Sequence, residues 1–186
     1  MKSTLFLSCI FLVSCADQEP YCPNSDSIIK NVCIYKNDFE INDSSINRAL
    51  DIIHWNWYEK FGHDEAEIIE LYIDEEGYSQ VELRFRYLDN YLGLASGTRI
   101  ELHYGDKQQQ CFANAAIGHE FIHALGYLFN MNYGHDNHDL FLSKKMVEDC
   151  SFYGDCNAAR STLENKINVE MCDLFCPDSC LWWMSR

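Results

Sequence analysis

The chain has 186 residues, 47% of them apolar and 14% aromatic, enough to bury one core and too few to make a second full domain. Its formal net charge of −15 argues against nucleic acid or an anionic membrane surface as a partner, because the phosphate attraction that drives such binding becomes a repulsion. A neutral or cationic ligand fits the charge better.

The N-terminus, MKSTLFLSCIFLVSCADQEP, has one lysine, an apolar run from Leu5 to Val13 and then small residues. The run is far shorter than the ~20 apolar residues that cross a bilayer, so residues 1–15 read as a signal peptide. Its end, LVSC, resembles the lipobox of bacterial lipoproteins, which implies lipid attachment to Cys15; Ser14 and Ala16 also suit an ordinary signal peptidase cutting after Ala16. Both routes export the protein, as a lipoprotein at the membrane surface or freely secreted. Cysteine usage agrees. With Cys9 and Cys15 set aside, eight of the ten cysteines remain, and in an oxidising compartment an even number predicts four disulfides. Cys22 with Cys33 is the natural local pair. The C-terminal CDLFCPDSC has CxxxC spacing rather than the CxxC of zinc ribbons, which favours disulfides over a metal cluster.

Residues 16–27 are expected to be a linker and residues 28–186 a single domain. SSINRALDIIHWNWYEKFG sets Ile46, Leu50, Ile53 and Trp57 on one face of a first helix behind a Ser/Asp-rich start. EIIELYI and VELRFRYL flank the acidic turn DEEGYSQ and read as two strands of a hairpin. LGLASGTRIELHYG follows with a glycine-bounded apolar piece. Its second part is a third, partly exposed strand, in which Ile100 and Leu102 alternate with Arg99, Glu101 and His103. CFANAAIGHEFIHAL predicts a second helix from Cys111 to Leu125, stopped by Gly126 because glycine accepts positive φ. NMNYGHDNHD has loop composition, and NAARSTLENKINVEMCDLF puts Leu163, Ile167 and Met171 on one face of a third helix. The fold class is α+β: a small mixed sheet with a motif-bearing helix, a backing helix and a C-terminal helix, stabilised by disulfides.

The chemistry lies in HEFIH. His119 and His123 are four residues apart, so a helix projects both imidazoles from one face, close enough to share a metal ion. Glu120 is rotated from them by about 100°, where a carboxylate can take a proton from a water on the metal without becoming a ligand. HEFIHALGY resembles the active-site helix of metzincin metallopeptidases, whose pattern is HExxHxxGxxH followed by a methionine turn, and is nearest to the matrixin and astacin-like branches. His119, Glu120, His123 and Gly126 match that pattern position by position, whereas Phe129 stands where the third histidine would be. The loop beyond offers His135, Asp136, His138 and Asp139. His138 precedes Met146 at the spacing the family keeps between its third histidine and its methionine, so the resemblance ranks His138 first as the metal ligand and His135 second.

The resemblance further implies a zincin-like fold, Zn²⁺ as cofactor, Glu120 as general base, and an edge strand beside the cleft. Leu94 and Ala95 on that strand would face the scissile region of an extended peptide. The expected partner is a peptide or protein substrate met by a monomer. Two other readings use the same residues: an inactive disulfide-rich surface or binding protein that keeps such a fold, and a zinc amidase acting on cell-wall peptides.

Overall fold

In the computed structural model, the structure describes residues 21–37, 40–103, 111, 113–142 and 161–177. Residues 1–15, expected to be a signal peptide, Cys15 among them, and Met146 and the cysteines at 150, 156 and 180 lie outside the described residues.

The chain builds a five-stranded mixed sheet: β1 (Ser27–Ile29), β2 (Val32–Tyr35), β3 (Glu82–Arg86), β4 (Gly93–Ser96) and β5 (Arg99–His103), in the order β1-β2-β3-β5-β4. β1 and β2 pair antiparallel through the two-residue turn Lys30–Asn31, both at positive φ (50° and 64°), the combination whose twist suits a hairpin. β2, β3 and β5 run parallel, and β4 folds back antiparallel on β5 through Gly97 at φ 61°. β4 is therefore an edge strand. β5 is interior, and Ile100 to His103 are all buried, so the partly exposed third strand expected from alternation is corrected: a strand flanked by two neighbours needs no solvent face.

Four helices accompany the sheet: α1 (Asp43–Phe61), α2 (Glu65–Glu70), α3 (Ile117–Leu128) and α4 (Leu163–Phe175). α1 starts at Asn42, whose side chain accepts the Ser45 N–H at 2.7 Å, and ends at Gly62 with φ 81°. As expected, it buries Ile46, Leu50, Ile53 and Trp57. α4, capped by Thr162, buries Leu163, Ile167 and Met171, worth about 1.5–3 kcal/mol each on the scale of burying such side chains. α1 and α3 pack on the sheet, and α4 packs on both of them.

EIIELYI is not a strand. Asp64 caps α2 by accepting the Glu67 N–H at 2.9 Å, Ile68 faces the core, and only Ile73 bridges across to Ser79 beyond the turn. The cap and the single buried isoleucine outweigh the β-forming composition. Residues 21–27, read as linker, are tied in as well: Tyr21 bridges Tyr78, and Cys22 is disulfide-bonded to Cys33 as the local pairing predicted. A second disulfide joins Cys111 to Cys176, linking the segment before α3 to the end of α4. Both bonds belong to an oxidising compartment. No helix of the described residues is long and apolar enough to cross a membrane.

Candidate metal centre

α3 carries His119 and His123 on one face, as the four-residue spacing requires, with their Nε2 atoms 3.2 Å apart. The chain does not leave the helix at Gly126. α3 continues to Leu128, Phe129 is its C-cap, and the reversal falls at Asn130 with φ 51°. Phe129 stacks between Trp57 and His63, with ring centroids 5.6 and 4.1 Å away, so it holds the end of α3 against α1. Gly126 serves another purpose. A Cβ there would lie 2.4 Å from Cβ of Tyr133, so only glycine lets the returning chain pass against the helix. That return is held by Met131 N–H donating to Gly126 O at 2.8 Å, and by Nδ1–H of His123 donating to Tyr133 O at 2.7 Å.

Two residues beyond Tyr133, His135 closes the group. Its Nε2 lies 3.1 Å from that of His119 and 3.0 Å from that of His123. The three histidines can hold a metal ion. His138, ranked first from its spacing to Met146, is exposed and stands outside this group; His135 takes the third place. The reason is the winding of the next turn. Asn137 O accepts the N–H groups of Leu140 and Phe141, Asn137 Oδ1 accepts the N–H of Asp139, and Leu140 and Phe141 are drawn into the core. Asp136 and Asp139 are also exposed, and Asp139 faces Lys60 at 4.0 Å.

Hydrogen bonds alone cannot explain three nitrogens so close together. Each Nε2 either carries a proton or presents a lone pair, so among three mutual contacts at least one sets like against like. The outer nitrogens sharpen the conflict. Nδ1–H of His119 donates to Oε1 of Glu164 at 2.9 Å and Nδ1–H of His123 donates to a carbonyl, so when both rings are neutral their Nε2 lone pairs face each other. A cation between them removes the repulsion. A point about 2.0–2.1 Å from all three nitrogens lies about 1 Å off their plane and subtends angles of roughly 100°, which is tetrahedral rather than planar. Imidazole donors of this kind suit zinc, copper, nickel and iron alike.

Several supporting residues carried no signal in the sequence. Glu164, at the start of α4, accepts from His119 and from the Leu142 N–H at 2.8 Å, the pattern by which a carboxylate orients a metal-binding imidazole. Gly118 makes its approach possible: a Cβ there would meet Cγ2 of Ile167, one turn along α4, at 2.2 Å. Fully buried Phe141 lies beneath all three rings, stacked on His123 at 4.3 Å and edge-on to His119 and His135 at 5.3 and 5.5 Å.

Glu120 is buried beside β4. Gly93 packs so tightly on it that a Cβ would fall 2.5 Å from Oε1, and the Ala95 N–H donates to the carboxylate. Leu94 and Ala95, expected to line the cleft, thus sit on the edge strand that touches Glu120, with Leu94 exposed. Burial pushes the Glu120 carboxyl up to about 7, with His119 opposing and Glu164 reinforcing the shift. Burial also pushes His123 down to about 4, helped by the neighbouring His119. For His119, burial lowers the pKa, but the hydrogen bond and charge of Glu164 outweigh it and the net shift is upward.

No protein-family model, curated protein or solved structure matches the chain. What the site can do therefore follows from its own atoms: a three-nitrogen metal seat, partly open to solvent on the His135 side, with a buried carboxyl next to it in sequence and an edge strand against that carboxyl.

Proposed function

We propose that the protein is an exported zinc-dependent endopeptidase of metzincin type, with His119, His123 and His135 holding the ion and Glu120 as general base. The observation that carries this reading is the convergence of the three Nε2 atoms, two of which present lone pairs when their rings are neutral. HEFIHALG supports it from the sequence, with the third ligand displaced to His135 by two further helical residues and a loop.

His119, His123 and His135 would hold zinc through neutral nitrogens, and the ion would supply an acidified water and a Lewis acid for the scissile carbonyl. The chain provides the rest. Glu120, whose carboxyl burial raises above the ordinary carboxylate range in the metal-free protein and which a nearby dication would hold as the anion, can accept a proton and return it to the leaving amine. Glu164 and Tyr133 O lock the His119 and His123 rings in the ligating tautomer. β4, the edge strand of the described sheet, would take an extended peptide alongside it.

The test is cleavage of a peptide mixture, read by mass spectrometry, by zinc-loaded wild type and by Glu120→Gln. The variant should keep its zinc and lose about 10²–10⁴-fold in rate. Equal rates in the two proteins, or no zinc bound at micromolar metal, would defeat the proposal and leave the binding-protein reading.

A further inference from the structure

Away from the histidines, the solvent side of α1 presents a second feature. Arg48, Asp51, Trp55 and Tyr58 recur at helical spacing and form one stripe. Trp55 is 59% exposed and Tyr58 43%, whereas Trp57 on the core side is fully buried. The two exposed rings stand 5.8 Å apart and tilted by 37°. They open onto a concavity of about 810 Å³ whose other walls are Asp64 and Glu65 at the start of α2 and Glu170 on α4. That volume falls within the ~300–1,000 Å³ typical of ligand sites.

The charges around it are unbalanced. Among the described residues, the four carboxylates Asp51, Asp64, Glu65 and Glu170 meet two cations: Lys30, which pairs with Asp51 at 2.9 Å and with Glu65, and Arg48, which reaches Asp51 only at 4.0 Å. Asp64 and Glu170 accept hydrogen bonds from the neutral Glu67 N–H and Asn56 Nδ2, which leave their charge in place. His54 on the wall is held toward its neutral form by burial. A neutral apolar ligand would bury these carboxylates unpaired, and an anion would be repelled. A cation gains twice, from the carboxylates and from aromatic faces whose negative potential attracts a charge within about 6 Å of the ring.

We infer that this concavity binds a cationic side chain of a basic peptide, its guanidinium or ammonium group lying against Trp55 and Tyr58 and facing Asp64 and Glu170. The site is separate from the three histidines and does not depend on the proposed activity.

The probe is tri-arginine amide, titrated into the full chain with and without bound zinc and followed by tryptophan emission and calorimetry. Saturable binding is expected in both forms. Trp55→Ala, at an exposed position whose loss leaves the core intact, should weaken it about tenfold. Glu170→Gln should weaken it severalfold, and neutralising Glu75 and Glu76, which do not line the concavity, should weaken it less than Glu170→Gln does. Absence of saturable binding, an unchanged Trp55→Ala variant, or an equal effect of the remote neutralisation would overturn the inference. Loss of binding on zinc loading would also overturn it, since the peptide would then have occupied the histidine site.

Discussion

Replacing Glu164 with glutamine separates two opposing effects at the metal centre. In the wild type, the Glu164 carboxylate accepts from Nδ1–H of His119 at 2.9 Å, which increases the basicity of Nε2 and also raises the imidazole pKa above its ordinary 6.5. A more basic nitrogen binds a metal more tightly, yet it also holds a competing proton to higher pH. Glutamine keeps an acceptor oxygen and loses the charge. At a pH above the His119 pKa of both proteins, the variant should bind zinc about 10–100-fold more weakly, the usual cost of losing a carboxylate partner behind a histidine ligand. As pH falls, wild-type affinity should drop about tenfold per unit once below the raised His119 pKa. The variant begins that decline at lower pH, because burial then acts on His119 with less opposition. The two curves should therefore converge as the pH falls. Competition against a fluorescent chelator, repeated across this range, gives both curves. Parallel curves, or equal affinity at the alkaline end, would refute the role given to Glu164.

Other changes probe the frame around the site. Gly126→Ala would drive a Cβ to 2.4 Å from Tyr133, so it should cost about 1–3 kcal/mol by thermal or denaturant unfolding and weaken zinc binding, because Tyr133 O holds His123. Phe141→Ala empties the space beneath three imidazoles and should destabilise the fold by about 3–5 kcal/mol; a loss under 1 kcal/mol would show that the ring is not packed as described. In metal-free protein, His123 resists protonation when folded and accepts it when unfolded, so its contribution to stability should fall as pH drops from 6.5 to about 4. His123→Ala should flatten that part of a melting-temperature profile. The Glu120 carboxyl should titrate near 7 by carbon-13 NMR in metal-free protein and move well below that when zinc is added, because a nearby dication favours the anion.

The parts of the fold legible in the sequence are those whose periodicity coincides with burial. Ile46, Leu50, Ile53 and Trp57 and the trio Leu163, Ile167 and Met171 face the core as spaced. EIIELYI misled because its composition favours a strand, whereas a capping aspartate just upstream and one core isoleucine decide for a helical turn. The β1–β2 hairpin went unread because its strands are short and its turn uses Lys30–Asn31 rather than a glycine pair.

At the site, a four-residue interval on a helix determines a distance, so His119 and His123 could be placed in advance. A loop interval does not, and the choice between His135 and His138 rested on how Gly126 admits Tyr133 and how Asn137 winds the following turn. Glu164 lies 45 residues from His119 in sequence, and only the close approach of α4 at Gly118 brings them together.

Zinc K-edge X-ray absorption on the metal-loaded protein tests the centre most directly. The expected spectrum shows three imidazole nitrogens and one oxygen at about 2.0–2.1 Å, reduced to two imidazoles in His135→Ala and unchanged in His138→Ala. A spectrum that keeps three imidazoles in His135→Ala, or loses one in His138→Ala, would contradict the three-histidine centre described here.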